Sequence, residues 1–82
     1  MIKQLTLDAL QRYVEHGIPT GSFLRGVLEN NLIGAASHAD KENLLALGEI
    51  ALYCLQNLPS SCWGSYDACE DWKEKKRKER EG

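Results

Sequence analysis

Between Leu44 and Leu58 the apolar residues return at Leu44, Leu47, Ala51, Leu55 and Leu58, with Ile50 and Leu52 widening the stripe. Intervals of three and four belong to one face of an α-helix and have no counterpart in a half-buried strand. No segment alternates apolar and polar residues, so the chain is expected to be all-α. Asp40 is a natural N-cap for this helix, and Pro59 stops it. The result is a helix of about 17 residues, expected as the central element against which the others pack.

The remaining helices follow from the same spacing. Leu7, Leu10 and Val14, with Tyr13 beside them, mark a first helix from about Thr6 to His16, ended by a glycine at Gly17. Phe23, Leu24, Val27 and Leu28 mark a second, opened by Pro19 with Thr20 or Ser22 as cap. Asn30 and Asn31 interrupt it and cap a short third helix, Leu32 to Ala39. Ser65 caps a last one that carries Tyr66, Cys69 and Trp72. The count is about five helices in a compact bundle, two of them short, with no internal repeat.

Residues 73–80 hold six cations and two anions and no apolar side chain. Asp71–Lys75, Glu74–Lys78 and Arg77–Glu81 stand at ion-pairing intervals on a helix surface. Two readings are open, a solvated helix end and a basic handle. The organisation expected is a single helical domain over 1–72 with a charged helix end or tail over 73–82.

At 82 residues the chain is one small domain, and a broad apolar stripe on so small a body favours a homo-oligomer that shares its core. A net charge of -2 argues against nucleic acid held by bulk electrostatics. The N-terminus lacks a signal peptide's apolar core, and no apolar run reaches the roughly 20 residues that span a bilayer. A cytoplasmic protein is expected, with no membrane partner. Three cysteines, Cys54, Cys62 and Cys69, suit that setting. No Cys-x-x-Cys pair is present and His16 and His38 lie far off, so the thiols read as buried apolar groups, with no metal and no cofactor.

The stretch GIPTGSFLRGVLENN, residues 17–31, spends more special residues than a turn needs. A helix N-terminus exposes backbone N–H groups that have no internal partner, and the helix dipole makes that end positive. Pro19, Thr20, Gly21 and Ser22 occupy such an end, with Arg25 one turn on and Asn30 and Asn31 beyond. One reading is a seat for a phosphate, with Arg25 as its cation; the other is a set of helix caps and close contacts. Trp63, in the loop SSCWGS, is open to the same choice between a core plug and a stacking surface for a base.

The run GIPTGSFLRGVLENNL, then HADKENLLAL, then LPSSCWGS resembles a family of short, uncharacterised bacteriophage and prophage proteins. Their order is G-[IV]-P-x-G-x-F-L-x-x-V-L-x-N-x-L, then A-D-x-x-N, then C-W-G-S. The likeness covers about residues 13–72. It implies a phage context and a bacterial host cytoplasm, and it supplies no catalytic residue. Cys62, His16, His38 and the carboxylates show no catalytic spacing, so no enzyme is expected. The function expected is an anti-defence protein that sequesters a phosphorylated small molecule, a nucleotide immune signal, in pockets of a homo-oligomer. The alternative is a helical inhibitor that covers a host defence protein.

Overall fold

The computed structural model describes residues 2–82. Six α-helices and one 3-10 turn make up the fold, and no strand occurs among the described residues. They are α1 (Gln4–His16), α2 (Ser22–Leu28), α3 (Leu32–His38), α4 (Lys41–Leu45), α5 (Leu47–Asn57) and α6 (Tyr66–Glu81), with the 3-10 turn at Ser60–Cys62 before α6. The all-α expectation holds.

Helix α1 turns Thr6, Leu10 and Tyr13 inward, at intervals of four and three. Gly17 ends it in the left-handed region at φ 67, and its N–H donates to the Tyr13 carbonyl at 2.8 Å. Only glycine takes that conformation without strain. The seat has a second constraint: a Cβ on Gly17 would stand 2.6 Å from Lys76 Cβ of α6. The charged end is thereby docked on α1. Helix α6 runs unbroken through residues 72 and 73, and Lys73 and Lys76 are partly buried there. Lys75 and Lys76 also place their ammonium groups 5.1 and 5.0 Å from the Trp72 ring centroid. Of the expected ion pairs, Glu74–Lys78 and Arg77–Glu81 form, at 4.0 and 2.8 Å.

Helices α2 and α3 form the tightest pair. Gly26 makes this possible, since a Cβ there would meet the Ala35 nitrogen at 2.6 Å. The link between them is built from the two asparagines. Asn30 takes a left-handed φ of 61, which asparagine tolerates better than most residues, and Asn31 caps α3 by accepting from the Gly34 N–H at 3.0 Å. Asp40 caps α4 in the same way, accepting from the Asn43 N–H at 2.8 Å, and Ser65 caps α6.

The long central helix does not form as one piece. It splits at Ala46, whose φ of -93 and ψ of 3 separate α4 from α5. The count is therefore six helices, three of them of seven residues or fewer. No proline causes the break, and Gly48, two positions beyond Ala46, is the weak helix former nearest to it. The buried face differs too. Ala46, Ile50 and Cys54 point inward, while Leu44, Ala51 and Leu55 are exposed and Leu47 is half-buried. Two apolar rows overlap in this sequence, and the core took the row with the smaller side chains. Ala46, Ile50 and Cys54 join Leu10, Tyr13, Leu28 and Trp72 in one core cluster.

Tyr13 is the polar hub of that core. Its hydroxyl donates to the Cys62 carbonyl at 2.7 Å, and its own carbonyl accepts from the Trp72 indole at 3.2 Å. The Gly64 N–H reaches the Leu28 carbonyl at 2.7 Å, which satisfies the end of α2 from a distant loop. No helix is long and apolar enough to cross a membrane among the described residues.

Candidate functional site

The turn before α2 differs from the sequence expectation in register. Gly21 occupies the capping position and Ser22 is the first helical residue, so no side chain caps α2. Thr20 is half-buried, while Pro19, Gly21 and Ser22 are exposed. A Cβ placed on Gly21 would find no neighbour within 4 Å, so this glycine faces open space.

Arg25 lies on the outer side of α2, and its Nε donates to Glu29 Oε2 at 2.9 Å. The expected free cation is thus one half of an ion pair. The Arg25 side chain is 58% exposed, whereas the Glu29 side chain is only 11% exposed. The hydrogen bond to Glu29 holds the Arg25 guanidinium protonated further above its ordinary range. The remaining guanidinium nitrogens have no hydrogen-bond partner among the described residues.

Between α2 and α3 lies an open cleft of about 190 Å³, lined by Ser22, Arg25, Glu29, Asn31 and His38, with Gly26 and Gly34. Gly34 carries no side chain there because a Cβ would collide with the Asn31 amide. Arg25 and Glu29 also line a narrow hollow of about 20 Å³ that carries Pro19 and Thr20. On the far side Gly21, Ser22 and His38 border a shallow depression of about 520 Å³ with Lys3, Thr6 and Asn43. Lys3 is held there by Asp40 at 2.7 Å. The α2 end thus stands where three surface hollows meet.

The expected site residues separate accordingly. Ser22, Arg25 and Asn31 share the α2–α3 cleft. Pro19 and Thr20 reach Arg25 through the narrow hollow, and Gly21 reaches Ser22 through the shallow one. Asn30 and Asn31 both hold the α2–α3 link, and they border an apolar groove of about 360 Å³ formed with Val27, Leu32, Leu47 and Ala51. Trp63 lines none of these hollows. It packs half-buried against the core, and its Nε1 is buried without a hydrogen-bond partner among the described residues. That placement suits the core plug.

Glu29 is the residue that the reading of the sequence passed over. Its signal was present: it stands four positions after Arg25, the interval used to pair charges in the C-terminal segment. The three thiols lie inside the core. Burial pushes Cys54 and Cys62 up to about 11 and raises Cys69 as well. No group of three metal-ligating side chains occurs among the described residues. Comparison of the chain with protein-family models, characterised proteins and solved structures gave no match.

Proposed function

We propose that the protein is a non-catalytic binder that holds a phosphorylated small molecule in the α2–α3 cleft. The observation that carries this reading is Arg25 at the mouth of that cleft. Glu29 fixes the guanidinium through Nε and leaves its terminal nitrogens unpartnered toward the outside. Those nitrogens form the fork that grips a phosphate with two parallel hydrogen bonds. Ser22 and Asn31 add neutral hydrogen-bonding groups to the same cleft.

A volume of about 190 Å³ is below the roughly 300–1,000 Å³ usual for a pocket that encloses a ligand. One chain therefore covers only part of a nucleotide, and a second copy supplies the rest of the wall. The exposed Leu32, Leu45 and Leu55 offer apolar surface for such an assembly. In the phage setting that the resemblance implies, this homo-oligomer acts as a sponge. It withdraws a nucleotide signal of host immunity from its receptor in the host cytoplasm.

A second reading rests on the same leucines. Leu45 is 77% exposed and Leu55 62%, a surface suited to a helical inhibitor that covers a host defence protein.

Native mass spectrometry of protein purified from bacteria with a nucleotide-signalling defence active tests both readings. The sponge requires more than one chain and a retained nucleotide mass. Arg25→Lys keeps a charge beside Glu29 and loses the fork, so it should melt like the wild type and bind the retained nucleotide about tenfold more weakly. A monomer that retains no nucleotide and co-purifies with a host protein supports the inhibitor instead. Equal nucleotide binding by the wild type, Arg25→Lys and Arg25→Ala excludes Arg25 as the phosphate contact.

A further inference from the structure

The cleft has a rim and an interior of different chemistry. Arg25 at the rim is more than half exposed, and Glu29 behind it is almost covered. Only Oε2 of Glu29 is engaged, by Arg25. Its Oε1 has no hydrogen-bond partner among the described residues. It nevertheless keeps contact with solvent, because Trp63 Nε1 is the one fully buried and unpartnered polar side-chain atom among them. Glu29 lines two hollows, and the smaller, at about 20 Å³, is too narrow for a ligand group. The wider α2–α3 cleft, which Glu29 also lines, is the one with room for a ligand group.

A carboxylate is an acceptor with no donor of its own, and its two oxygens offer about four lone-pair positions. Oε2 can therefore keep Arg25 and still take a second donor beside Oε1. Among the nucleobases, only guanine presents two adjacent donors on one edge, the ring N1–H and the 2-amino group. On adenine, cytosine and uracil each such donor is flanked by an acceptor, whose lone pair a carboxylate repels.

We propose that Glu29 selects guanine in this cleft: the base enters edge-first against the Glu29 carboxylate, and its phosphate stays at the rim on Arg25. The inference rests on the phosphate-binding reading above and adds the base to it. It also accounts for the carboxylate beside the cation. A site for bare phosphate uses only the Glu29 oxygen that holds Arg25, whereas a site for a guanine nucleotide uses both. Asn31 sits in the same cleft with its Oδ1 committed to the Gly34 N–H. Its amide nitrogen is then left as a donor toward the guanine O6.

The test is a calorimetric titration of the wild-type protein with GMP, IMP and AMP. GMP should bind about ten- to a hundredfold more tightly than AMP, since hydrogen bonds to a charged group are at stake. IMP, which keeps N1–H and lacks the 2-amino group, should fall between them. Within the Glu29→Gln variant itself GMP and AMP should bind equally, whatever the change in their common phosphate contact, with a melting curve to confirm that the variant is folded. Should that variant not fold, the ranking on the wild type alone decides. Equal binding of GMP and AMP overturns the selection of guanine and leaves the phosphate reading standing. A folded Glu29→Gln that keeps the preference overturns the role of Glu29. No binding of any of the three overturns the phosphate reading and this inference together.

Discussion

The Tyr13 hydroxyl and the Cys62 carbonyl meet at 2.7 Å inside the core, although 49 positions separate them in the chain. Both residues are almost fully covered, at 2% and 0% exposure. Tyr13→Phe keeps the ring and removes the donor, so the carbonyl is left with only the weak Cys69 thiol at 3.6 Å. Leaving a buried acceptor short of its partner costs about 1–3 kcal/mol. In a domain of this size each kcal/mol lowers the melting temperature by about 4–8 °C. A variant that melts with the wild type would show that water replaces the hydroxyl there.

Ile50 and Leu55 test which row of α5 faces inward. Ile50 is fully buried, so Ile50→Ala should cost about 2–5 kcal/mol in chemical denaturation. Leu55→Ala should change stability by less than about 0.5 kcal/mol in the isolated chain. The reverse order would restore the leucine seam as the buried face. A loss at Leu55 that grows with protein concentration would instead place this leucine in a subunit contact.

Gly26→Ala addresses the α2–α3 contact. The new methyl would fall 2.6 Å from the Ala35 nitrogen and 2.8 Å from its Cα, and backbone cannot step aside as a flexible side chain can. The two helices must separate, at a cost of about 1–3 kcal/mol or more. Because the candidate cleft lies between these helices, the variant should also lose any ligand that the wild type binds. Gly21→Ala, at a glycine with open space around it, should leave ligand-free stability within about 0.5 kcal/mol.

The buried thiols set an alkaline limit. Cys54 and Cys62 titrate near 11 in the folded chain, against an ordinary value of 9.0. Between those values the unfolded chain has released protons that the folded chain still holds, so stability falls as pH rises. Below pH 9 the contribution is complete. By pH 11 each thiol has removed about 2–3 kcal/mol, since a tenfold difference in proton affinity is worth about 1.4 kcal/mol. Burial raises the Tyr13 phenol as well, which extends the loss in the same direction. Melting curves at pH 8, 9.5 and 10.5 should show a steady decline, and a flat profile would mean that the thiols reach solvent.

The all-helical class was legible because the apolar intervals leave no room for a strand. Three caps were legible for the same local reason, since Asp40, Asn31 and Ser65 each bond an N–H three positions on. The one expected at Thr20 or Ser22 was not, because Gly21 holds that position. Nor was the break at Ala46. Local propensity favours a continuous helix through Leu44–Leu58, and only packing against the rest of the core decides which row is buried. At the candidate site, the sequence drew attention to the turn and to Arg25. Glu29 was not legible as part of it, because a carboxylate four positions from an arginine is as ordinary on a solvated helix as in a site. Whether Asn30 and Asn31 served the chain or a ligand depended on backbone angles that spacing does not contain.

The ties through Tyr13 have a consequence for how this chain is made. Small helical proteins usually fold on contacts close in sequence, and so can organise while they are still being synthesised. Here the Trp72 indole closes on the Tyr13 carbonyl across 59 positions, and the Cys62 carbonyl closes on the Tyr13 hydroxyl across 49. A nascent chain that has emerged only as far as α5 therefore holds its helices without their polar hub. The faces of α1 that α6 covers stay open until α6 arrives. The ribosome must deliver the first turns of α6 before these ties can close.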